Sequence, residues 1–256
     1  MNYRVVLKIG STLISADSDS CLKLISNISS QIKKILKNNV DFIIVTSGAI
    51  SEGQKVMNIH DRPEELNSLQ ALAAIGQQQL MSVYENAFNK HDIITAQVLL
   101  THDDMLNKDR HSNAKVTIEK LLELNVLPII NENDVVATEE IKFGDNDKLA
   151  AMVAKLINAD LMIILTNQDG FFTKNPDLHS DATLIKNIAV NELRFENYND
   201  RSKSKLGTGG FVTKLQAVKI AAESSTDTVI ASGYQSDVLL KIFDNEEVGT
   251  KFICKK

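Results

Sequence analysis

The sequence predicts an α/β fold in which helices cover both faces of a largely parallel sheet. The composition, 43% hydrophobic and 24% charged, is close to the average for globular domains and argues against disorder. Short β-branched segments alternate with longer segments of helical periodicity along the chain. Strand–helix–strand order repeated this often indicates a parallel sheet, because parallel strands need long crossover connections that are usually helices.

The predicted strands are short runs rich in Val, Ile and Leu. They cover residues 3–9, 41–46, 93–100, 126–130, 161–166 and 228–231. The segment 135–143 breaks the alternation and is predicted to form a β-hairpin.

Helices are predicted between these strands. The longest is expected to begin at Pro63, with Glu64 and Glu65 in its first turn, as the geometry and dipole of a helix N-terminus favour. The predicted helices cover residues 22–36 and 63–88, a segment closing at 117–124, residues 147–158, and a segment after the glycine cluster at 207–210.

Length and charge exclude several classes of protein. The 256 residues fit one large domain over 1–256, and 28 basic against 33 acidic residues give a net charge of −5, which argues against a broadly basic nucleic-acid surface. No apolar run approaches the roughly 18 residues of a membrane span. The N-terminus is interrupted by Lys8 and lacks the core of a signal peptide. We therefore expect a cytoplasmic protein without nucleic-acid or membrane partners.

The cysteines and histidines do not predict a metal site. Cys21 and Cys254 lie far apart with no Cys or His at metal-ligand spacing, so neither a disulfide framework nor a zinc site is indicated. A group of His and Asp residues at 102–111 could hold a metal, but a charged helical surface is the favoured interpretation.

Small polar residues follow three of the predicted strands, where a parallel sheet binds its ligands. Glycine lets a ligand approach the backbone, and Ser or Thr at a helix start directs N–H and hydroxyl groups at an anion. Helix caps and tight turns are the alternative. Lys8 favours anion binding, because a lysine at the end of an apolar strand is costly to bury without an anion. The residues concerned are Gly10, Ser11, Ser47, Gly48, Ala49, Thr166 and Asn167.

A glycine cluster precedes the last long helix and also suits phosphate. It matches neither the Walker loop nor the dinucleotide fingerprint, but it combines flexible backbone, a helix N-terminus and Lys214 one turn into the helix. A flexible connector that caps an amphipathic helix is the alternative. The candidate residues are Thr208, Gly209, Gly210, Phe211, Val212, Thr213 and Lys214.

Two clusters of acidic and amide residues complete the candidate site, NEND at 131–134 and GDND at 144–147. Paired Asp and Asn side chains offer the donors and acceptors that a zwitterionic amino acid requires, and an Asp can hold neighbouring lysines in place. The alternative is that Asp145 or Asn146 is only the N-cap of the 147–158 helix and that Asp134 is only a turn residue.

Taken in order, KIGST, IIVTSGAI, LPIINEND, FGDND, LTNQDG and GTGGFVTK resemble the amino acid kinase family. The resemblance spans residues 8–249 and implies a three-layer αβα sandwich, with an amino-acid site over the N-terminal half and an ATP site over the C-terminal half. It is greatest to members that transfer the γ-phosphoryl group of ATP to the side-chain carboxylate of L-glutamate. That reaction makes L-glutamyl 5-phosphate in the first step of proline biosynthesis.

The resemblance also implies roles for individual residues. Lys8 and Lys214 would contact the transferring phosphate, and Asp147 would orient both lysines. The glutamate site would use Ser47, Asp134 and Asn146, with backbone contacts from Gly48 and Ala49. The ATP site, with Mg²⁺, would use Lys8, Gly10, Ser11, Thr166, Asn167, Thr208, Gly209, Gly210, Phe211, Val212, Thr213 and Lys214. The family commonly has Asp where this chain has Asn167, so a charge at that position is not expected to be needed.

The partners expected from the resemblance are proline as a feedback inhibitor, further copies of the chain in a homo-oligomer, and γ-glutamyl phosphate reductase, which would take up the labile product. Many members carry a C-terminal PUA domain, and we expect a short form without it. Alternatives are a related kinase acting on N-acetylglutamate, aspartate, carbamate or UMP, a catalytically silent amino-acid-binding regulator, and a nicotinamide-dependent oxidoreductase. The absence of GxGxxG argues against the last of these.

Overall fold

The computed structural model describes residues 2–15, 18–137, 146–174, 176, 179–193 and 211–254. Within these ranges eight strands form one sheet. They are β1 (Tyr3–Ile9), β2 (Val40–Val45), β3 (Thr95–Leu100), β4 (Leu127–Glu132), β5 (Leu161–Thr166), β6 (Asn187–Ala189), β7 (Asp227–Ser232) and β8 (Thr250–Ile253).

The strand order is β3-β4-β2-β1-β5-β7-β8-β6. Every pairing between neighbouring strands is parallel except that of β7 with β8, which is antiparallel. The largely parallel sheet predicted from the sequence is therefore confirmed. The two strands that the sequence did not predict, β6 and β8, have only three and four residues, too few for a hydrophobic period to be recognised.

Helices lie on both faces of this sheet. They are α1 (Ser11–Ile14), α2 (Ser18–Ile35), α3 (Ala49–Met57), α4 (Leu66–Asn89), α5 (His102–Leu106), α6 (Lys108–Glu123), α7 (Asp147–Leu156), α8 (Phe211–Ala222) and α9 (Val238–Phe243). Short 3₁₀ turns occur at Leu36–Asn38 and Val190–Glu192.

The core consists of two hydrophobic clusters, one on each side of the sheet. Successive residues of a strand point to opposite faces, and Val5 and Leu7 accordingly pack into the cluster that includes α2, α4 and α9. Val6 packs into the other cluster, with side chains of α6, α7 and α8. Since both faces are covered, the expected three-layer αβα architecture is confirmed.

The observed helices differ from the prediction in several places. The chain is still extended at Glu65, with φ −70° and ψ 130°, so α4 begins at Leu66 rather than at Pro63. The helix α3 was not predicted, because its sequence starts in a Ser–Gly–Ala segment and has Gly53 in its interior.

Glycines bring α3 and α4 into backbone contact. A Cβ atom at Gly76 would lie 1.8 Å from the carbonyl oxygen of Ala49, and one at Gly53 would lie 2.0 Å from that of Leu72. Any side chain at these positions would push the two helices apart. The close contact fixes the start of α3 against α4, and with it the loop that follows β2.

Three further expectations concern the 135–143 hairpin, the two cysteines and membrane-spanning segments. Val135 and Val136 lie in a turn, and residues 138–143 of the predicted hairpin are outside the described residues. Cys21 and Cys254 are buried free thiols. None of the helices in the described part of the chain has the length and apolar character needed to cross a bilayer.

Candidate functional site

Two lysines from distant parts of the chain meet on one carboxylate. Lys8, near the end of β1, places Nζ 2.6 Å from Oδ1 of Asp147, the first residue of α7. Lys214, in the first turn of α8, donates from Nζ to Oδ2 of the same carboxylate at 2.9 Å. The relative exposures of Lys8, Lys214 and Asp147 are 1%, 8% and 0%. The fold thus brings together the three residues to which we assigned catalytic roles.

This trio is electropositive, because it combines two ammonium groups with one carboxylate. Moving such groups out of water costs free energy that only close pairing repays. Both oxygens of Asp147 are used in that pairing. The carboxylate therefore holds the two ammonium groups near each other, in a water-poor place where their field acts strongly on an anion.

The loop after β2 has the conformation that glycine favours. Gly48 has φ 105°, in the left-handed region, and a Cβ atom there would also lie 2.6 Å from a methyl group of Ile14. Ala49 then begins α3. The neighbouring hydroxyl of Ser47 is buried and has no hydrogen-bond partner among the described residues. A buried donor of this kind is costly unless a ligand or water satisfies it.

The side chain of Asn146 crosses to two other elements. Its Nδ2 donates to the carbonyl oxygen of Thr46 at 2.6 Å and to Oδ1 of Asn131 at 2.7 Å. Asn146 occupies the N-cap position of α7, but its side chain makes no capping hydrogen bond. The helix-cap alternative for this residue is therefore not what the structure shows.

A small cavity of about 120 Å³ opens beside these groups. All five residues that we expected at the glutamate site line it: Ser47, Gly48, Ala49, Asp134 and Asn146. It is also lined by residues that were not singled out in the sequence: Ser15, Ile50, Ser51 and Arg62. Asn131 of the predicted NEND cluster and Ser11, which we had assigned to ATP, complete the lining.

Arg62 is the most informative of the residues missed. It lies in an irregular segment between α3 and α4, where no periodicity or motif marks it. Its charge lowers the pKa of Asp134, but burial of that carboxyl has the larger effect and raises its pKa to about 6. The cavity therefore presents both a carboxyl group, that of Asp134, and a positively charged guanidinium group, that of Arg62, to a bound ligand.

The pKa of Asp134 predicts how stability depends on pH. Because the folded-state pKa is raised, the free energy of unfolding should fall as pH rises from about 4 to about 6. Asp134→Asn lacks this ionisation, so we expect the variant to be more stable than the wild type at pH 7, by about 1 kcal/mol after allowance for partial exposure, and equal to it near pH 4. Denaturant unfolding at the two pH values measures this.

The matched control is Glu64→Gln, which removes an exposed carboxylate from the segment before α4. Its effect on stability should be the same at both pH values. A constant difference between Asp134→Asn and the wild type across pH 4–7 would contradict the assignment of a raised pKa to Asp134.

Those residues expected at the ATP site that the structure describes lie at the ends of β1 and β5 and in α8. Gly10 donates its N–H to the carbonyl oxygen of Leu165 at 2.9 Å, which holds the turn after β1 against the end of β5. Ser11 begins α1. The hydroxyl of Thr166 donates to Oδ1 of Asn167 at 3.2 Å. Phe211, Val212 and Thr213 form the first turn of α8 with Lys214. Thr208, Gly209 and Gly210 lie outside the described residues, as do Gly144 and Asp145.

The described residues contain no group of three or more His, Cys, Asp or Glu side chains arranged to hold a metal. In the 102–111 segment, Thr101 and Asp104 instead form a capping box at the start of α5. Oδ1 of Asp104 also lies 3.1 Å from Nη1 of Arg110. These contacts agree with the charged helical surface that the sequence favoured.

The model of the amino acid kinase family matches residues 3–232. Curated relatives named glutamate 5-kinase are 47% identical over 251 residues in Methylococcus capsulatus and 42% identical over 253 residues in Nitrosospira multiformis. Each alignment covers 98% of this chain, but 67% and 68% of the respective relative. The chain thus spans about two thirds of the length of these relatives.

Solved structures share the architecture at much lower identity. UMP kinase from Ureaplasma parvum has a TM-score of 0.65 at 16% identity, with 99% of each chain covered. Carbamate kinase from Giardia lamblia bound to AMP-PNP has a TM-score of 0.67 at 16% identity, with 98% of each chain covered. At this identity the likeness shows the fold alone.

Proposed function

The chain belongs to the amino acid kinase family, and from that membership we propose that it transfers the γ-phosphoryl group of ATP to the side-chain carboxylate of L-glutamate. The product is L-glutamyl 5-phosphate, the first intermediate of proline biosynthesis. The observation that carries the proposal is the pair of lysines, Lys8 and Lys214, held on Asp147 beside a small polar cavity. The name of the curated relatives supports the choice of glutamate.

This reaction needs no general base, because the nucleophile is a carboxylate that is already ionised at neutral pH. Catalysis then depends on holding two negatively charged reactants in line and on stabilising the charge of the transferred group. Lys8 and Lys214 supply positive charge for that purpose, and Asp147 fixes where they stand. No His or Cys is required in any step.

The polar lining of the cavity suits a small zwitterionic acid. Asp134 can accept hydrogen bonds from an ammonium group, while Arg62 and the hydroxyl of Ser47 can donate to a carboxylate. Gly48 and Ala49 add backbone contacts. These groups support an amino acid as the acceptor better than an uncharged or purely anionic compound.

We place ATP at the ends of β1 and β5 and at the start of α8. The residues that would hold it are Lys8, Gly10, Ser11, Thr166, Asn167 and the segment from Thr208 to Lys214. Mg²⁺ would bind with the nucleotide and neutralise part of its phosphate charge. Asn167 can orient the nucleotide through its amide but contributes no charge.

The organisation of the chain follows from the same proposal. Residues 1–256 would form one domain whose single sheet carries the amino-acid site toward β2 and β4 and the ATP site toward β5. Homo-oligomers, feedback inhibition by proline, a cytoplasmic location and transfer of the labile product to γ-glutamyl phosphate reductase are proposed from family membership. Exposure of Ile94 and Leu124 near the edge strand β3 supports assembly with further copies.

An acceptor screen with ATP and Mg²⁺ tests the proposed function. Hydroxylamine would trap acyl phosphate as a hydroxamate, and release of ADP would be followed in parallel. We expect rapid turnover with L-glutamate and little with N-acetylglutamate, aspartate, carbamate or UMP. Turnover with one of those acceptors but not with glutamate would assign a different kinase activity. Absence of ADP release with every acceptor would favour a silent amino-acid-binding regulator.

A further inference from the structure

A chain of hydrogen-bonded side-chain amides runs from the small cavity lined by Ser47, Asp134 and Asn146 to the edge of the sheet. We call this cavity, the proposed site of the phosphoryl acceptor, the acceptor cavity. Asn146 donates to the carbonyl oxygen of Thr46 at 2.6 Å and to Oδ1 of Asn131 at 2.7 Å. Asn131 in turn donates from Nδ2 to Oε1 of Gln77 on α4 at 2.7 Å. Gln77 donates from Nε2 to Oε1 of Gln97 on β3 at 3.2 Å. Residues before α3, at the start of α7 and on β4, α4 and β3 are thereby linked.

The direction of this chain is fixed by its first acceptor. A backbone carbonyl can only accept, so Asn146 must present its NH₂ group to Thr46. With that orientation set, Asn131 must present its oxygen to Asn146 and its NH₂ group to Gln77. Gln77 must then offer its oxygen to Asn131. Reversing any one amide would place two donors or two acceptors face to face.

The orientation of these amides determines which atom of Asn146 can bind a ligand in the acceptor cavity. Both hydrogens of the Asn146 amide are used by Thr46 and Asn131, so the group left for a ligand is the Oδ1 acceptor. Among the described residues no hydrogen bond is made by this oxygen. An acceptor of this kind favours the ammonium group of an amino acid, which is charged and has three N–H donors, over an acylated nitrogen, which is neutral and keeps only one.

We propose that Gln77 is a positioning residue that makes the site selective for acids with an unmodified α-ammonium group. It lies outside the lining of the acceptor cavity and acts through Asn131, whose amide it keeps turned toward Asn146. Without the oxygen of Gln77, the buried NH₂ group of Asn131 has no acceptor and Asn131 is held on one side only. Asn146 then keeps one firm anchor, the carbonyl oxygen of Thr46, and its amide is positioned less precisely. The inference rests on the proposed glutamate kinase activity, which it deepens.

The test compares Gln77→Met with Gln77→Glu. Methionine is of similar length but offers no strong acceptor, whereas a glutamate oxygen can still accept from Asn131. We expect Q77M to raise KM for glutamate about tenfold, the order of effect of leaving a buried polar group unpaired. KM for ATP should stay unchanged and kcat should stay within about twofold. The preference for glutamate over N-acetylglutamate in kcat/KM should also fall about tenfold, and Q77E should largely restore both values.

The control is Gln79→Met, two residues along the same helix at an exposed position, which should behave as the wild type. Thermal unfolding of every variant separates a positioning role from a structural one. If Q77M does not fold, Gln77→Ala takes its place, because this half-buried position leaves room for water.

The possible results are distinct. An unchanged glutamate KM in folded Q77M, or a KM in Q77E as high as in Q77M, would overturn the role of Gln77 while leaving the kinase activity in place. A lowered melting temperature in both variants with no change in selectivity would assign only a structural role and would also overturn it. A wild-type protein that does not phosphorylate glutamate would instead overturn the proposed function itself.

Discussion

Replacement of Lys214 by methionine should lower kcat about 100- to 1,000-fold, and Lys8→Met should lower it to a similar extent. The ammonium groups of both lysines lie within 3 Å of Asp147, and both side chains are almost completely buried. Positive charge that is fixed in such a place before the reaction stabilises charge on the transferred phosphoryl group far better than it would in water. Because the proposed reaction has no proton to remove, little other chemistry can compensate for the loss.

Lys148→Met is the matched control, since Lys148 follows Asp147 directly on α7 but is exposed. Its kcat should stay close to that of the wild type. Steady-state release of ADP at saturating ATP and glutamate measures the effect, and circular dichroism establishes that each variant is folded. Near-normal turnover in folded Lys8→Met or Lys214→Met would exclude that lysine from phosphoryl transfer.

The sequence predicts the central strands of the fold well because both faces of these strands are buried. The strands β1 and β5 lie inside the sheet with both faces covered, so both consist mainly of Val, Leu, Ile and Met, with Arg4 and Lys8 as the charged residues of β1. Both strands were predicted to the residue. The helix α3 was missed for the opposite reason. Gly53 disfavours a helix locally, and it is tolerated because it lets α3 touch Leu72 on α4, a contact between residues 19 positions apart.

In the candidate site, too, some residues could be predicted from the sequence and others could not. Lys8, Ser47 and Thr166 could be predicted because strand ends in a parallel sheet form a binding edge whatever the details of packing. That Asp147 contacts Lys8 and Lys214 together could not be derived from spacing, since the three residues come from separate elements. Arg62 and Gln77 have no local signal at all, because what they do depends on contacts made only after folding.

Asp147→Asn should be the most destabilising substitution in the site, with a loss of about 3–5 kcal/mol in the free energy of unfolding. Asparagine has the same shape, so the change removes one negative charge and leaves the buried ammonium groups of Lys8 and Lys214 facing each other across a neutral amide. Repulsion between the two lysines and loss of their common acceptor should also displace them and lower kcat at least as much as removal of one lysine.

Binding of ATP tests whether the instability of Asp147→Asn comes from the unbalanced charge of the two lysines. The triphosphate would bring negative charge to the two lysines that Asp147→Asn leaves unbalanced, so ATP should raise the melting temperature of the variant by more than that of the wild type. Glu223→Gln is the control for loss of an ion pair, because Glu223 and Lys155 pair at 2.6 Å on the surface and such a pair contributes about 0–1 kcal/mol. Wild-type stability in Asp147→Asn, or an equal response to ATP in both proteins, would show that the lysines do not depend on this carboxylate, and the anion-binding role of the trio would then have to rest on the lysines alone.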